Sequence, residues 1–178
     1  MPPLVSFVNQ MLSALTVLGQ LLILICIAYL LLRKKPFSPA MAEKALWFAF
    51  LVALIATSGS LFYSEIAGFE PCKLCWFQRI FMYPQVLLLG MALWKKDRSI
   101  TDYAILLAVL GAFVAGYHYL LQLGIAPNLP CSAVGYSVSC SQRFVMNFGY
   151  ITIPLMSFTA FLLVIIALWK SRIKNYIG

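Results

Sequence analysis

The sequence predicts an all-α integral membrane protein with five transmembrane spans, and three observations carry that reading. Hydrophobic side chains make up 63% of the 178 residues and charged ones only 10%, more apolar surface than a water-soluble domain of this length can hide. The apolar residues fall into five runs, 11–32, 46–64, 75–94, 103–123 and 151–169, each near the 20 or so residues that a helix needs to cross the hydrocarbon layer. The basic residues gather in alternate connections, the pattern that orients membrane helices.

The first run carries no charge. It lacks the basic leader of a cleaved signal peptide, its apolar stretch is too long for one, and Arg33, Lys34 and Lys35 follow it. It therefore reads as a retained helix with a stop-transfer flank. The second run follows Lys44, and the third is the weakest because Gln78 and Arg79 lie in its first turns. The fourth holds His118 about one turn from its end, and the fifth is again uncharged. Trp47, Trp76, Trp94 and Trp169 fall at span ends, as an aromatic belt requires.

Orientation follows from the connections. Arg33, Lys34, Lys35 and Lys44 follow span one, Lys95, Lys96 and Arg98 follow span three, and Lys170, Arg172 and Lys174 follow span five. These are ten of the 13 basic residues, and the opposite side keeps only Lys73, Arg79 and Arg143. The N-terminus is thus expected outside and the C-terminus in the cytoplasm. The net charge of +8 is mostly this orientation signal, with some attraction to anionic lipid, and needs no nucleic acid to explain it. The longest polar stretch, 124–150, contains Pro127, Pro130, Gly135 and Gly149 and reads as an external loop.

Five cysteines divide into two pairs and an outlier. Cys26 lies mid-span without a polar neighbour in sequence and reads as a small buried hydrophobe. Cys72 and Cys75 form a C-x-x-C motif where the third span begins, and Cys131 and Cys140 lie in the external loop. All four are expected on the oxidising side of the membrane, where disulfides persist. A structural staple suits Cys131 and Cys140, but a two-residue loop restrains little, and C-x-x-C is the redox spacing. Cys75 opens a helix, whose free N–H groups favour an anion, and Arg79 follows at i+4 on the same face. Both features favour a thiolate, the reactive form of cysteine. Four cysteines also suit zinc, but the eight residues between Cys131 and Cys140 exceed the usual ligand spacing, so no metal is expected.

Arg79 and His118 are ionisable groups at membrane depth, which usually mark function, and Gln122 adds a further hydrogen-bond donor. Beside a dithiol they suggest a site for a small lipophilic oxidant whose carbonyl oxygens need donors. A quinone fits, with Trp76, Phe77, Phe81, Tyr83, Tyr117 and Tyr119 as candidate walls.

Pro71-Cys-x-x-Cys75 with Arg79, then His118-Tyr-Leu-Leu-Gln-Leu123, then Cys131 and Cys140 resemble the bacterial disulfide bond formation protein B family. The run from Cys72 to Pro84 is most similar to short-loop, Bacillus-type members. The resemblance covers about 46–170 and implies a four-helix catalytic bundle there, so that 1–45 adds an N-terminal transmembrane helix with a basic connection and 171–178 is a basic tail. Relatives similar to vitamin K epoxide reductase place the loop cysteines before the C-x-x-C, the reverse of the order here.

The resemblance implies a multi-pass thiol–quinone oxidoreductase of the bacterial cell membrane, active on the extracytoplasmic face. In it, Cys131 is attacked by an extracytoplasmic thioredoxin-fold thiol oxidase, and Cys140 relays electrons to Cys72. Cys75 and Arg79 meet the quinone, with His118 close by, and the membrane quinone pool is the acceptor, menaquinone in preference to ubiquinone. The alternative is a disulfide-stapled membrane scaffold or partner subunit without redox turnover.

Overall fold

The computed structural model describes residues 2–32, 39–97, 99–126 and 139–172. Their regular structure is helical apart from one bridge between Asn147 and Ile151. Five helices occupy the five apolar runs: α1 (Pro3–Leu32), α2 (Pro39–Leu61), α3 (Lys73–Lys95), α4 (Thr101–Gln122) and α5 (Ile153–Arg172). A π turn, Phe62–Ile66, extends α2. By length and composition Pro3–Tyr29, Glu43–Ile66 and Thr101–Gln122 can cross a membrane, and the apolar stretch Ile153–Trp169 of α5 is shorter. α3 is a continuous helix whose apolar run is interrupted by Gln78, Arg79 and Gln85 and which contains Pro84. Arg33, Lys34, Lys35, Arg98 and Lys174 of the basic connections, and Cys131, lie outside the described residues.

α2–α5 form a four-membered ring of packed helices, α2 on α3, α3 on α4, α4 on α5 and α5 on α2, and α1 lies outside it against α5. The closest approach comes from small residues. α4 buries Ala104, Ala108, Gly111, Ala112 and Ala115, which recur at helical spacing and let neighbouring backbones come near. The fully buried Phe161 of α5 seats its ring over Gly111, where a Cβ would overlap it. Pro84 cannot donate a backbone hydrogen bond. One residue on, the buried Gln85 amide donates to Phe81 O at 3.2 Å, which holds a carbonyl of that turn in the absence of water.

Successive helices alternate in direction, so the start of α1, the end of α2, the start of α3, the end of α4 and the start of α5 meet at one end. Contacts across that end bear this out, with Tyr63 hydrogen-bonded to Asn9 and His118 to Cys140 O. Every described cysteine except Cys26 is there.

Gly111→Ala is expected to lower the thermal unfolding midpoint in detergent. Overpacking of this kind costs about 1–3 kcal/mol, more than the gain of up to about 1 kcal/mol in helix propensity. Adding Phe161→Leu should recover part of the loss.

Candidate active site

Cys72 caps α3 in extended conformation (φ −70°, ψ 172°), and Cys75 is the third residue of the helix. This turn brings the two Sγ atoms to 3.2 Å. The hydrogen bond to Cys75 and burial push the Cys72 thiol up to about 12, against the opposing pull of His118. Either sulfur could donate in this contact, and the direction of the shift favours Cys72 as the protonated, donating partner. It is 4% exposed and packs with Leu121 and Cys140, whereas Cys75 is half-buried.

His118 is 2% exposed and bonded at both ring nitrogens. Nε2 lies 3.0 Å from Cys140 O and 3.7 Å from Cys72 Sγ, and Nδ1 lies 2.9 Å from Gln78 Nε2. A backbone carbonyl only accepts, so Nε2 carries the proton. In the neutral ring Nδ1 then accepts from the Gln78 amide. Cys72 and Gln78 belong to α3 and Cys140 to the segment before α5, and together they dock the Cys140 carbonyl beside the Cys72 thiol. The end of α4 adds two more ties to this segment: Gln122 Nε2 donates to Gln142 O at 3.0 Å, and Arg143 donates from Nε and Nη2 to Gln122 O. Gln122 Oε1 is buried without a partner. It borders a space of about 20 Å³ shared with Cys72, Cys75 and His118, room for about one water.

On the other side of the thiol pair is a cavity of about 370 Å³, within the range of about 300–1,000 Å³ usual for small-molecule sites. Cys75, Gln78, Arg79, Ser60 and Tyr83 line its polar part. Arg79 donates from Nε to Ser60 Oγ (3.0 Å) and from Nη2 to Ser60 O (3.1 Å), and its Cζ lies 5.2 Å from the centre of the Trp76 ring. Tyr83 OH donates to the same Ser60 Oγ at 3.2 Å. Among the described residues no carboxylate pairs with Arg79, although Glu70 lines the same cavity. Arg79 Nη1 and the Ser60 hydroxyl proton have no acceptor there, so two donors stand on residues that line an otherwise apolar space. A stack of three rings, Tyr63 on Phe69 (5.8 Å) and Phe69 on Phe144 (5.0 Å), adds to the lining. Cys75 borders both spaces, and Cys72 only the small one.

Residues 42–170 match the family model described as disulfide bond formation protein DsbB. The chain belongs to the DsbB family. It is 46% identical over 123 residues to disulfide bond formation protein C of Bacillus subtilis, covering 68% of this chain and 87% of that protein. It is also 46% identical over 120 residues to probable disulfide formation protein C 1 of Bacillus anthracis, covering 67% and 86%. The SPbeta prophage-derived disulfide bond formation protein B of Bacillus subtilis is 43% identical over 115 residues, covering 65% and 76%. No solved structure shows a significant match. Family membership and the apolar helices make this a membrane protein with a role in disulfide bond formation.

Within this DsbB-family chain the structure brings Cys72, Cys75, Cys140 and His118 together, with Arg79 one turn below Cys75 on α3. Arg79 and Cys75 line the large cavity, while His118 and Gln122 line the small one and not the large. Of the six aromatic residues expected as walls, Tyr83 lines the cavity and the other five do not. The reason is helical phase: Cys75, Gln78, Arg79 and Met82 share one face of α3, so Trp76 and Phe77 are exposed on another. Gln78, which the sequence marks only as a weakness in the third span, is the partner of His118 Nδ1. Its position three residues after Cys75 is the signal that was there to read.

Cys72, Cys75 and His118 offer three possible metal-ligand atoms within 4.8 Å of one another. Both histidine nitrogens are already hydrogen-bonded, and a metal at Nε2 would displace the Cys140 carbonyl. The donor set thus suits thiol exchange better than a resident zinc.

Alkylation tests the asymmetry of the pair. The hydrogen bond to Cys75 and burial raise the Cys72 thiol pKa to about 12, and the thiolate is the form that reacts. Iodoacetamide on the reduced protein should label Cys75 well ahead of Cys72, as read by peptide mass mapping in a Cys26→Ala background. Labelling of Cys72 should rise about tenfold for each unit of pH towards 12. Equal labelling of both at about pH 8 would contradict the assignment of Cys72 as donor.

Proposed function

We propose that this chain is a thiol–quinone oxidoreductase that reoxidises an extracytoplasmic thioredoxin-fold partner and delivers the electrons to the membrane quinone pool. The observation that carries the reading is the position of Cys75, which touches the cysteine side and also a cavity whose lining holds an unpaired guanidinium. In this reading all five helices span the bilayer with the N-terminus outside, and the cysteine end faces away from the cytoplasm. The distribution of basic residues supports that orientation.

The chemistry is a sequence of thiol–disulfide exchanges. A thiolate of the partner attacks Cys131 in a Cys131–Cys140 disulfide, and Cys140 leaves as a thiolate. Cys140 attacks Cys72 in a Cys72–Cys75 disulfide, and Cys75 leaves as a thiolate near Arg79. The partner's second thiol displaces Cys131, closing the partner's own disulfide. Cys131 then attacks Cys140 and releases Cys72. The chain is left with the Cys131–Cys140 bond restored and Cys72 and Cys75 as a dithiol. A quinone in the cavity takes two electrons and two protons from that dithiol, which closes the Cys72–Cys75 bond again and yields the quinol.

The residues around the thiols have distinct parts in this scheme. Arg79 and Ser60 offer donors for a ring carbonyl. Cys75, in the first turn of α3 with Arg79 one turn on, is the leaving group in the second exchange. His118, oriented by Gln78, keeps the Cys140 segment beside Cys72. We take menaquinone as the acceptor in preference to ubiquinone because the most similar sequences reported above come from Bacillus.

Quinone reduction by the dithiol form in detergent tests the proposal. Cys75→Ser should abolish it. Arg79→Ala should lower kcat/KM about 10- to 100-fold, the loss of a charge-assisted hydrogen bond of about 1.5–3 kcal/mol. If both variants reduce quinone as the parent does, the protein is a stapled scaffold and the enzyme reading is wrong. His118→Phe should slow electron entry from a reduced partner about tenfold or more, as expected for a lost positioning contact. It should leave single-turnover oxidation of the Cys72, Cys75 dithiol by quinone much less affected.

A further inference from the structure

The first helix lies outside the family match, which begins at residue 42, and nothing in the chemistry above uses it. Yet α1 supplies one long side of the large cavity. Leu12, Leu15, Thr16, Gly19 and Leu22 line it, and their spacing places them on one helical face. The opposite side is α2 from Ser60 back to Phe48, with Ile55 and Val52 between. Both sides extend about 15 Å or more at 1.5 Å per residue. The cavity is therefore elongated, with its polar groups at the cysteine end and aliphatic walls over the remainder.

It also opens sideways. Leu15, Leu18 and Leu22 line the cavity and are still 42%, 57% and 44% exposed, as are Phe48 and Ile55 of α2 at 38% and 47%. Residues that border a cavity and the outside together mark the rims of a slot, here between α1 and α2. α1 is fixed in this position. Gly19 lets it approach α5, where a Cβ would come within 3.0 Å of Leu163 and 3.2 Å of Thr159. Tyr63 OH donates to Asn9 Oδ1 at 2.7 Å, Asn147 Nδ2 donates to Ser13 Oγ at 2.7 Å, and Tyr150 OH donates to Gln20 Oε1 at 3.0 Å.

We propose that α1 and α2 form a lateral slot that holds the isoprenoid tail of the quinone, which makes α1 a tail-recognition element added to the DsbB-family bundle. The inference rests on the quinone reading above. The amphiphile that this space fits has a carbonyl-bearing ring at Arg79 and a long apolar chain along α1. A bilayer acyl chain shares the second property and lacks the first.

The test compares two acceptors, a long-chain isoprenoid naphthoquinone and the same ring without a tail. Leu15→Trp and Leu22→Trp narrow the slot at exposed positions, where folding is not at stake. In both, the ratio of kcat/KM for the long-chain acceptor to that for the tail-less one should fall about tenfold, the scale of discrimination that apolar pockets achieve. Leu24→Trp, on the opposite face of α1 and 63% exposed, should keep the parental ratio. An unchanged ratio in Leu15→Trp and Leu22→Trp means that bilayer lipid fills the slot, and overturns the proposal. A fall of the same size in Leu24→Trp also overturns it, since the effect would then belong to α1 as a whole. Failure of the quinone reading is separately visible, because the tail-less acceptor would then be reduced equally well by the Cys75→Ser variant.

Discussion

The arrangement of this site depends on one imidazole that can satisfy its hydrogen bonds in a single way. His118 is buried, and each of its ring nitrogens has a protein partner. A backbone carbonyl takes the proton on Nε2, and the Gln78 amide is then required to donate to Nδ1. This ties α3 to α4 and the Cys140 segment to both. Without it the Cys72 thiol would have no fixed neighbour on the side from which electrons are proposed to arrive.

The second constraint is the Arg79 guanidinium, a charge in a helix that must otherwise meet lipid. Three groups share the task of accommodating it: the Ser60 hydroxyl, the Ser60 carbonyl and the Trp76 ring face. None carries a negative charge, so none of these contacts neutralises the guanidinium. A carboxylate partner would have stabilised the arginine better and weakened it as a binding group, because a paired guanidinium has less to offer a ligand carbonyl.

Much of this was legible from the residues alone. Long apolar runs leave little choice but helices, and the C-x-x-C, Arg79 at i+4 and His118 each stand out because polar groups are rare in such runs. What could not be read was the pairing. Asn9, just before the first span, and Ser13, within it, are visible as polar residues, but their partners Tyr63 and Asn147 are 54 and 134 residues away. The cavity walls were misread for a different reason: aromatic character drew attention to Trp76 and Phe77, while helical phase puts Cys75, Gln78, Arg79 and Met82 inward. Gln78 was passed over because a glutamine in a span has many uses, and only the imidazole opposite decides among them. Helix α1 had no assignable role, since its lining face differs from its lipid face in position and not in composition.

The stack of Tyr63, Phe69 and Phe144 joins three parts of the chain: the π turn after α2, the connection leading to Cys72 and the segment just beyond Cys140. All three rings also border the large cavity. The segment carrying Cys140 therefore cannot shift without disturbing the lining of the cavity proposed to take the acceptor. Such a shared element makes the two sites thermodynamically linked, and linkage is reciprocal. Whatever free energy an occupied cavity contributes to holding the rings in register, a docked Cys140 segment returns to the occupant as affinity. In the proposed reaction, donor and acceptor would sense each other through three flat rings that take no part in the chemistry.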